Sequence, residues 1–173
     1  MNTSLPEVWL RGPVEGVPPL LQPVAHALMQ SVEEVQKITQ SFPDELLWKR
    51  PGGVAAVGFH LQHLTGVLDR LTTYASGQSL SQQQMAWLQA EKEETATTAQ
   101  QLVHQFEQKV AAVLEQLRQT KEATLTEPRG VGRKALPSTV LGLLFHAAEH
   151  TMRHVGQLLV TAKMVQALSN QSL

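Results

Sequence analysis

A chain of 173 residues with 42% hydrophobic content is long enough to bury a core, and residues 1–173 are read as a single domain. Its 14 basic and 15 acidic residues leave a formal net charge of -1, with no cationic excess to neutralise a phosphate backbone, so nucleic acid is not an expected partner. The absence of cysteine excludes disulfides, thiolate zinc sites and a cysteine nucleophile, and it suits a reducing cytoplasm. The opening "MNTSLPEVWLRG" lacks a basic region followed by an apolar run, so no signal peptide is expected. "STVLGLLFHAA", the longest apolar run, is too short to cross a bilayer. A cytoplasmic protein without a membrane segment is the expectation.

In chain order, a proline-rich extension, "LPEVWLRGPVEGVPP", comes first, with Trp9 as the expected anchor onto the rest. Helical spacing then runs from Pro19 to Ser41 through Leu20, Val24, Leu28, Val32, Val35 and Ile38. Pro23 falls in its first turn, where a missing N–H costs nothing. "FPDELLWKRPGG" breaks the pattern with proline and paired glycine. A second helix is predicted over Val54–Ser76, closed by Gly77, and "QSLSQQQMAWLQAE" reads as a short helix capped by Ser81. The third long helix covers Glu93–Glu122, with Leu102, Phe106, Val110, Val113 and Leu117 as its stripe. "TEPRGVGRKALP" reads as a loop, and Ser138 as the cap of a last helix reaching Leu168. Strand signals are scarce. Four long helices argue for an all-α four-helix bundle with a proline-rich N-terminal extension.

Five of the seven histidines fall in two windows, "GFHLQHL" with His60 and His63, and "FHAAEHTMRHVGQ" with His146, His150 and His154. Residues four apart on a helix lie about 40° apart around the axis and about 6 Å along it, so two such imidazoles reach one ion at about 2.0–2.1 Å. Residues eight apart are separated by about 12 Å, too far to share it. The last helix therefore offers either His146/His150 or His150/His154, and a third ligand must come from His60 or His63. Three histidines leave a coordination position open, which is the catalytic pattern. Clustering of this kind is what ligation demands and packing does not. His26 and His104, isolated on their helices, read as ordinary boundary residues.

Other chemistries fit less well. "HAAEH" matches the inverted zinc-protease motif with Glu149 as base, but that motif needs a downstream carboxylate ligand, and no Asp or Glu follows Glu149. A di-iron bundle needs Glu three residues before His, and no histidine here has it. No C-x-x-C-H sequence is present to attach a haem. Glu149 stands either beside the ligands or in an ion pair with Arg153, and the pair is preferred. Gln157 follows on the histidine face and could bond a ligand ring or water. Gly156 in mid-helix suggests close packing against a neighbouring helix. Arg129, Arg133 and Lys134 read as solvated, or as attracting an anionic substrate to the bundle mouth. The last helix carries apolar residues on more than one face, which fits a central position or a dimer contact.

"LLWKRPGGVAAVGFHLQHLTGVLDRL" and "HTMRHVGQLL" together resemble the DinB/YfiT-like superfamily of bacterial metal-dependent enzymes. The resemblance implies a DinB-like four-helix bundle, commonly homodimeric, with three histidines from its second and fourth helices around a divalent metal. Registered on "HVGQ", it selects His150 and His154, and the distance from the helix start selects His63. His60 and His146 then become neighbours. The sequence departs from the family at Val155, where arginine is frequent, and at "VAAVG", where a helix-start serine is usual. Relatives include thiol S-transferases using bacillithiol or mycothiol. The resemblance thus implies a metal-dependent S-transferase or hydrolase acting on a small molecule, with zinc or nickel and a low-molecular-weight thiol as cofactors. The alternative is a non-catalytic dimeric bundle, a stress-response binding module with a vestigial site. No catalytic residue can be named from the sequence.

Overall fold

Proline, glycine and serine or threonine caps set the helix boundaries in the computed structural model, which describes residues 5–171. Helix α1 (Gln22–Thr39) follows a 3-10 turn at Pro19–Leu21 and carries Pro23 in its first turn, as expected. Helix α2 (Val57–Ala75) starts later than Val54 because the chain is still extended at Val54 and Ala56, with ψ of 169° and 160°, after the Gly52–Gly53 break. Helix α3 (Gln82–Ala90) opens with a capping box in which Ser81 Oγ accepts from Gln84 N–H and the Gln84 side chain accepts from Ser81 N–H. Helix α4 (Ala99–Gln119) uses the same device through Thr98 and Gln101, so it begins after Glu93. Helix α5 (Val140–Asn170) is capped by Thr139 Oγ1 on Gly142 N–H at 3.0 Å, one residue beyond the expected Ser138.

The segment read as a loop before α5 is a hairpin. Strands β1 (Pro128–Val131) and β2 (Leu136–Thr139) pair antiparallel, Pro128 opposite Thr139 and Val131 opposite Leu136. Each strand contains a proline, the residue that reads as a breaker, yet a two-stranded ribbon is all edge and tolerates it. Arg129 fastens this ribbon to the end of α2, its Nε–H donating to Ala75 O at 2.9 Å and its Nη2–H to Glu127 Oε2 at 2.9 Å. It is therefore engaged within the chain, though still part exposed.

Helices α1, α2, α4 and α5 form the bundle. Helix α1 packs against α4 and α5, and α2 packs against the same two. Their facing stripes make one core, with Leu28, Leu61, Leu64, Leu68, Phe106, Leu117, Leu144 and Leu158 fully enclosed. Gly58 lets the Trp48 ring lie directly on α2, since a methyl there would come within 2.8 Å of the indole. The N-terminal extension is held by Val8, 2% exposed, more than by Trp9, whose indole is 61% exposed and donates to Glu7. Arg11 adds an ion pair to Glu33 on α1. Gly156 also departs from expectation: among the described residues, nothing beyond its own stretch of helix lies within 4 Å of a methyl placed there. Around it the outer face of α5 exposes Leu159, Val160 and Met164. Among the described residues no helix is long and apolar enough to cross a membrane.

Candidate metal centre

The contact of α2 with α5 brings the two histidine windows together. One turn of α5 presents His150 and His154 towards α2, and His63 meets them from the second turn of α2. His63 Nε2 and His150 Nε2 are 3.0 Å apart, and the His154 ring centre lies 4.3 Å from that of His63 and 4.6 Å from that of His150. A nitrogen from each ring falls within 4.8 Å of the others. Ligands about 2.0–2.1 Å from a tetrahedral ion sit about 3.3 Å apart, so small ring rotations suffice for one ion to be shared. The donor set fits a divalent metal.

His60 occupies a different place. It is buried, 3% exposed, with Nδ1 at 3.1 Å from His154 Nδ1. One ring nitrogen of that pair must donate and the other accept, so His60 fixes the orientation of His154. Helix spacing left His60 and His63 open; the structure puts His63 in the cluster and His60 against His154. His146 is exposed, its Nδ1 3.3 Å from a Glu149 oxygen. Glu149 is also taken by Arg153, the i,i+4 pair preferred from the sequence. His146, Glu149 and His150 offer a second grouping of donor atoms, but its carboxylate is already paired. Gln157 is exposed, three residues beyond His154. His26 and His104 lie apart from the cluster, bonded to Gly12 O and to Gln108 respectively.

Burial governs the protonation of these rings. It pushes His154 down to about 4, with His63, His150 and His60 repelling a further proton. Burial and then His63 push His60 down to about 4, and His150 is lowered by burial and then by His63, His146 and Arg153. All three are neutral at pH 7, the form in which imidazole offers a lone pair to a metal. His150 Nδ1 is buried with no hydrogen-bond partner among the described residues.

Four residues that the sequence reading did not single out surround His63. Phe59, one turn earlier, stacks on its ring at 5.3 Å and 15°. Glu91, just past α3 and 4% exposed, has Oε2 at 2.9 Å from His63 Nδ1 and Oε1 at 2.5 Å from Arg70 Nη1. Burial opposes the charge on Glu91, but hydrogen bonds from His63 and Arg70 outweigh it and hold the carboxyl below its ordinary range. Gly66 lies between His63 and Arg70 on the same face of α2 and leaves the space the carboxylate fills.

Comparison with known proteins bears on the fold and the family. No curated protein matches the chain. Among solved structures, a DinB-like protein from Bacillus cereus superposes with a TM-score of 0.64 at 16% identity, over 83% of this chain and 91% of that one. A protein crystallised as a member of the DinB family, from Exiguobacterium sibiricum, gives 0.68 at 18% identity over 87% and 94%. A conserved protein from Enterococcus faecalis gives 0.66 at 19% over 85% and 97%. At these identities the likeness establishes the fold. The sequence profile of the DinB superfamily matches residues 27–158, a span that runs from α1 through both histidine windows. The chain belongs to the DinB superfamily.

Proposed function

We propose that this protein is a metal-dependent enzyme in which His63, His150 and His154 hold one divalent ion, zinc or nickel. The observation that carries the reading is the convergence of three imidazole nitrogens from two helices within 4.8 Å, with His150 and His154 held neutral at pH 7. A divalent ion on three histidines supplies Lewis acidity and keeps a coordination position open for water, a thiol or substrate. The chain's own residues supply the rest. His60 orients His154, and Phe59 covers one face of the His63 ring and keeps water from it. The substrate is a small molecule, and the reaction is hydrolysis or transfer to a low-molecular-weight thiol, in the cytoplasm. The apolar outer face of α5 around Gly156, with Leu159, Val160 and Met164 exposed, favours a homodimer.

Metal analysis of untagged protein tests the reading. One equivalent per chain is expected, lost in His150→Ala and in His154→Ala. A chelator is expected to lower the melting temperature, because an ion bound only to the folded state raises apparent stability. Metal-free protein that neither takes up zinc or nickel nor changes its melting temperature on their addition overturns the proposal and favours a non-catalytic bundle.

A further inference from the structure

We infer that Gly66, Arg70 and Glu91 form a positioning unit for His63, and that docking of the segment after α3 sets the metal affinity of the centre. The inference rests on the metal reading above.

Its basis is the direction of one hydrogen bond. An ionised carboxylate can only accept, so the 2.9 Å contact of Glu91 Oε2 with His63 Nδ1 requires that Nδ1 carry the proton. In the neutral ring Nε2 then carries the lone pair. Nε2 is the nitrogen that faces His150 Nε2 at 3.0 Å, inside the cluster. Glu91 thereby chooses the tautomer in which His63 can ligate, and the Phe59 ring stacked against it restricts rotation.

Glu91 is itself held in place. It is 4% exposed, and an unpaired carboxylate that deep would carry a large desolvation cost. Arg70 removes that cost with a 2.5 Å bond to the second oxygen. Arg70 lies seven residues after His63, two turns along the same face of α2, so one carboxylate spans both side chains. Gly66, between them, makes this possible. A methyl group there would overlap Glu91 Oε1 and come within 2.7 Å of Arg70 Nη1 and 2.9 Å of Trp87 Nε1. Gly66 has ordinary helical backbone, and its value lies in the missing side chain. The unit joins α2 to the end of α3 and ends on a metal-facing nitrogen.

Three variants and two readouts test the inference. In metal-free protein, nitrogen NMR of the imidazoles should show His63 as the Nδ1–H tautomer. Glu91→Ala and Gly66→Ala should shift it towards Nε2–H, and so should Glu91→Gln, whose one carbonyl oxygen goes to the Arg70 guanidinium and leaves an NH2 that can only donate facing Nδ1. Zinc affinity should fall about 10–100-fold in Glu91→Ala, Gly66→Ala and Glu91→Gln alike. Circular dichroism identifies any variant that fails to fold, and Glu91→Gln is the variant least exposed to that outcome. Zinc binding in the parent with tautomer and affinity both unchanged in folded Glu91→Ala overturns the unit and leaves the metal reading standing. No zinc binding in the parent, with a tautomer that still follows Glu91, refutes the metal reading and supports Glu91 as the group that orients His63.

Discussion

His60 gives the metal-free protein a defined sensitivity to acid. The ring is 3% exposed and its pKa is pushed from 6.5 to about 4 by burial and by His63. A histidine depressed in the folded state contributes stability that is fully present above its unfolded pKa and is lost as pH falls towards the folded one. The window therefore runs from about pH 6.5 down to about 4. At about 1.36 kcal/mol per pKa unit, the whole interval corresponds to roughly 3 kcal/mol, or about 6–12 °C of melting temperature for a chain of this size. His154, pushed to about 4 in the same way, loses stability in the same direction and window. Glu91 has the usual carboxylate sign, its stability present above its ordinary value of 4.5 and lost below it, so measurements stopped at pH 4.5 exclude it. The assay is urea unfolding of chelator-treated protein at steps from pH 7.5 to 4.5, for the parent and for His60→Leu. The parent should lose stability steadily below pH 6.5, and His60→Leu should lose distinctly less, so the two curves converge. Parallel curves, or a parent whose stability is flat across the interval, would refute the placement of a neutral buried imidazole at His60.

Two further outcomes follow from the packing and the cluster. Gly58→Ala should cost about 1–3 kcal/mol in urea unfolding, although alanine favours a helix by about 1 kcal/mol, because the added methyl meets the Trp48 ring at 2.8 Å. Unchanged stability would mean that Trp48 does not pack on α2 as described. His63→Ala should weaken zinc binding in a competition titration far more than His60→Ala, and the reverse ranking would exchange the roles of the two residues.

The bundle was legible because its signals are local. Four apolar stripes at helical spacing, closed by Ser81, Gly77 and the Pro51–Gly53 break, each report on a segment without reference to the others. The hairpin was not, because what stabilises it is Arg129 reaching Ala75 O, across 54 positions of sequence. The same distinction explains Trp9 and Gly156. An aromatic ring or a mid-helix glycine suggests a contact, but only the path of the rest of the chain decides whether one is there. Val8 supplies the contact at the first site, and at the second no neighbouring helix among the described residues supplies one.

The candidate centre divides along the same line. His150 and His154 are four apart on one helix, so their shared direction follows from helix geometry alone. His63 needed a second element, and its choice over His60 came from a family resemblance, since the two lie only three residues apart and both can face α5. The partners of His63 needed a third. Gly66 and Arg70 carried a readable signal: a glycine that costs about 1 kcal/mol in mid-helix, and a charge two turns beyond His63 on the same face. Together they imply a carboxylate approaching that side of α2. Which carboxylate is a matter of how the connector after α3 docks, and "AEKEE" presents Glu91, Glu93 and Glu94 within four residues. Burial separates them, because Glu91 alone of the three is enclosed while Glu93 and Glu94 stay exposed. A buried carboxylate with two charge-assisted partners is costly to maintain unless its position matters. That cost is the physical argument for treating the end of α3 as part of the centre.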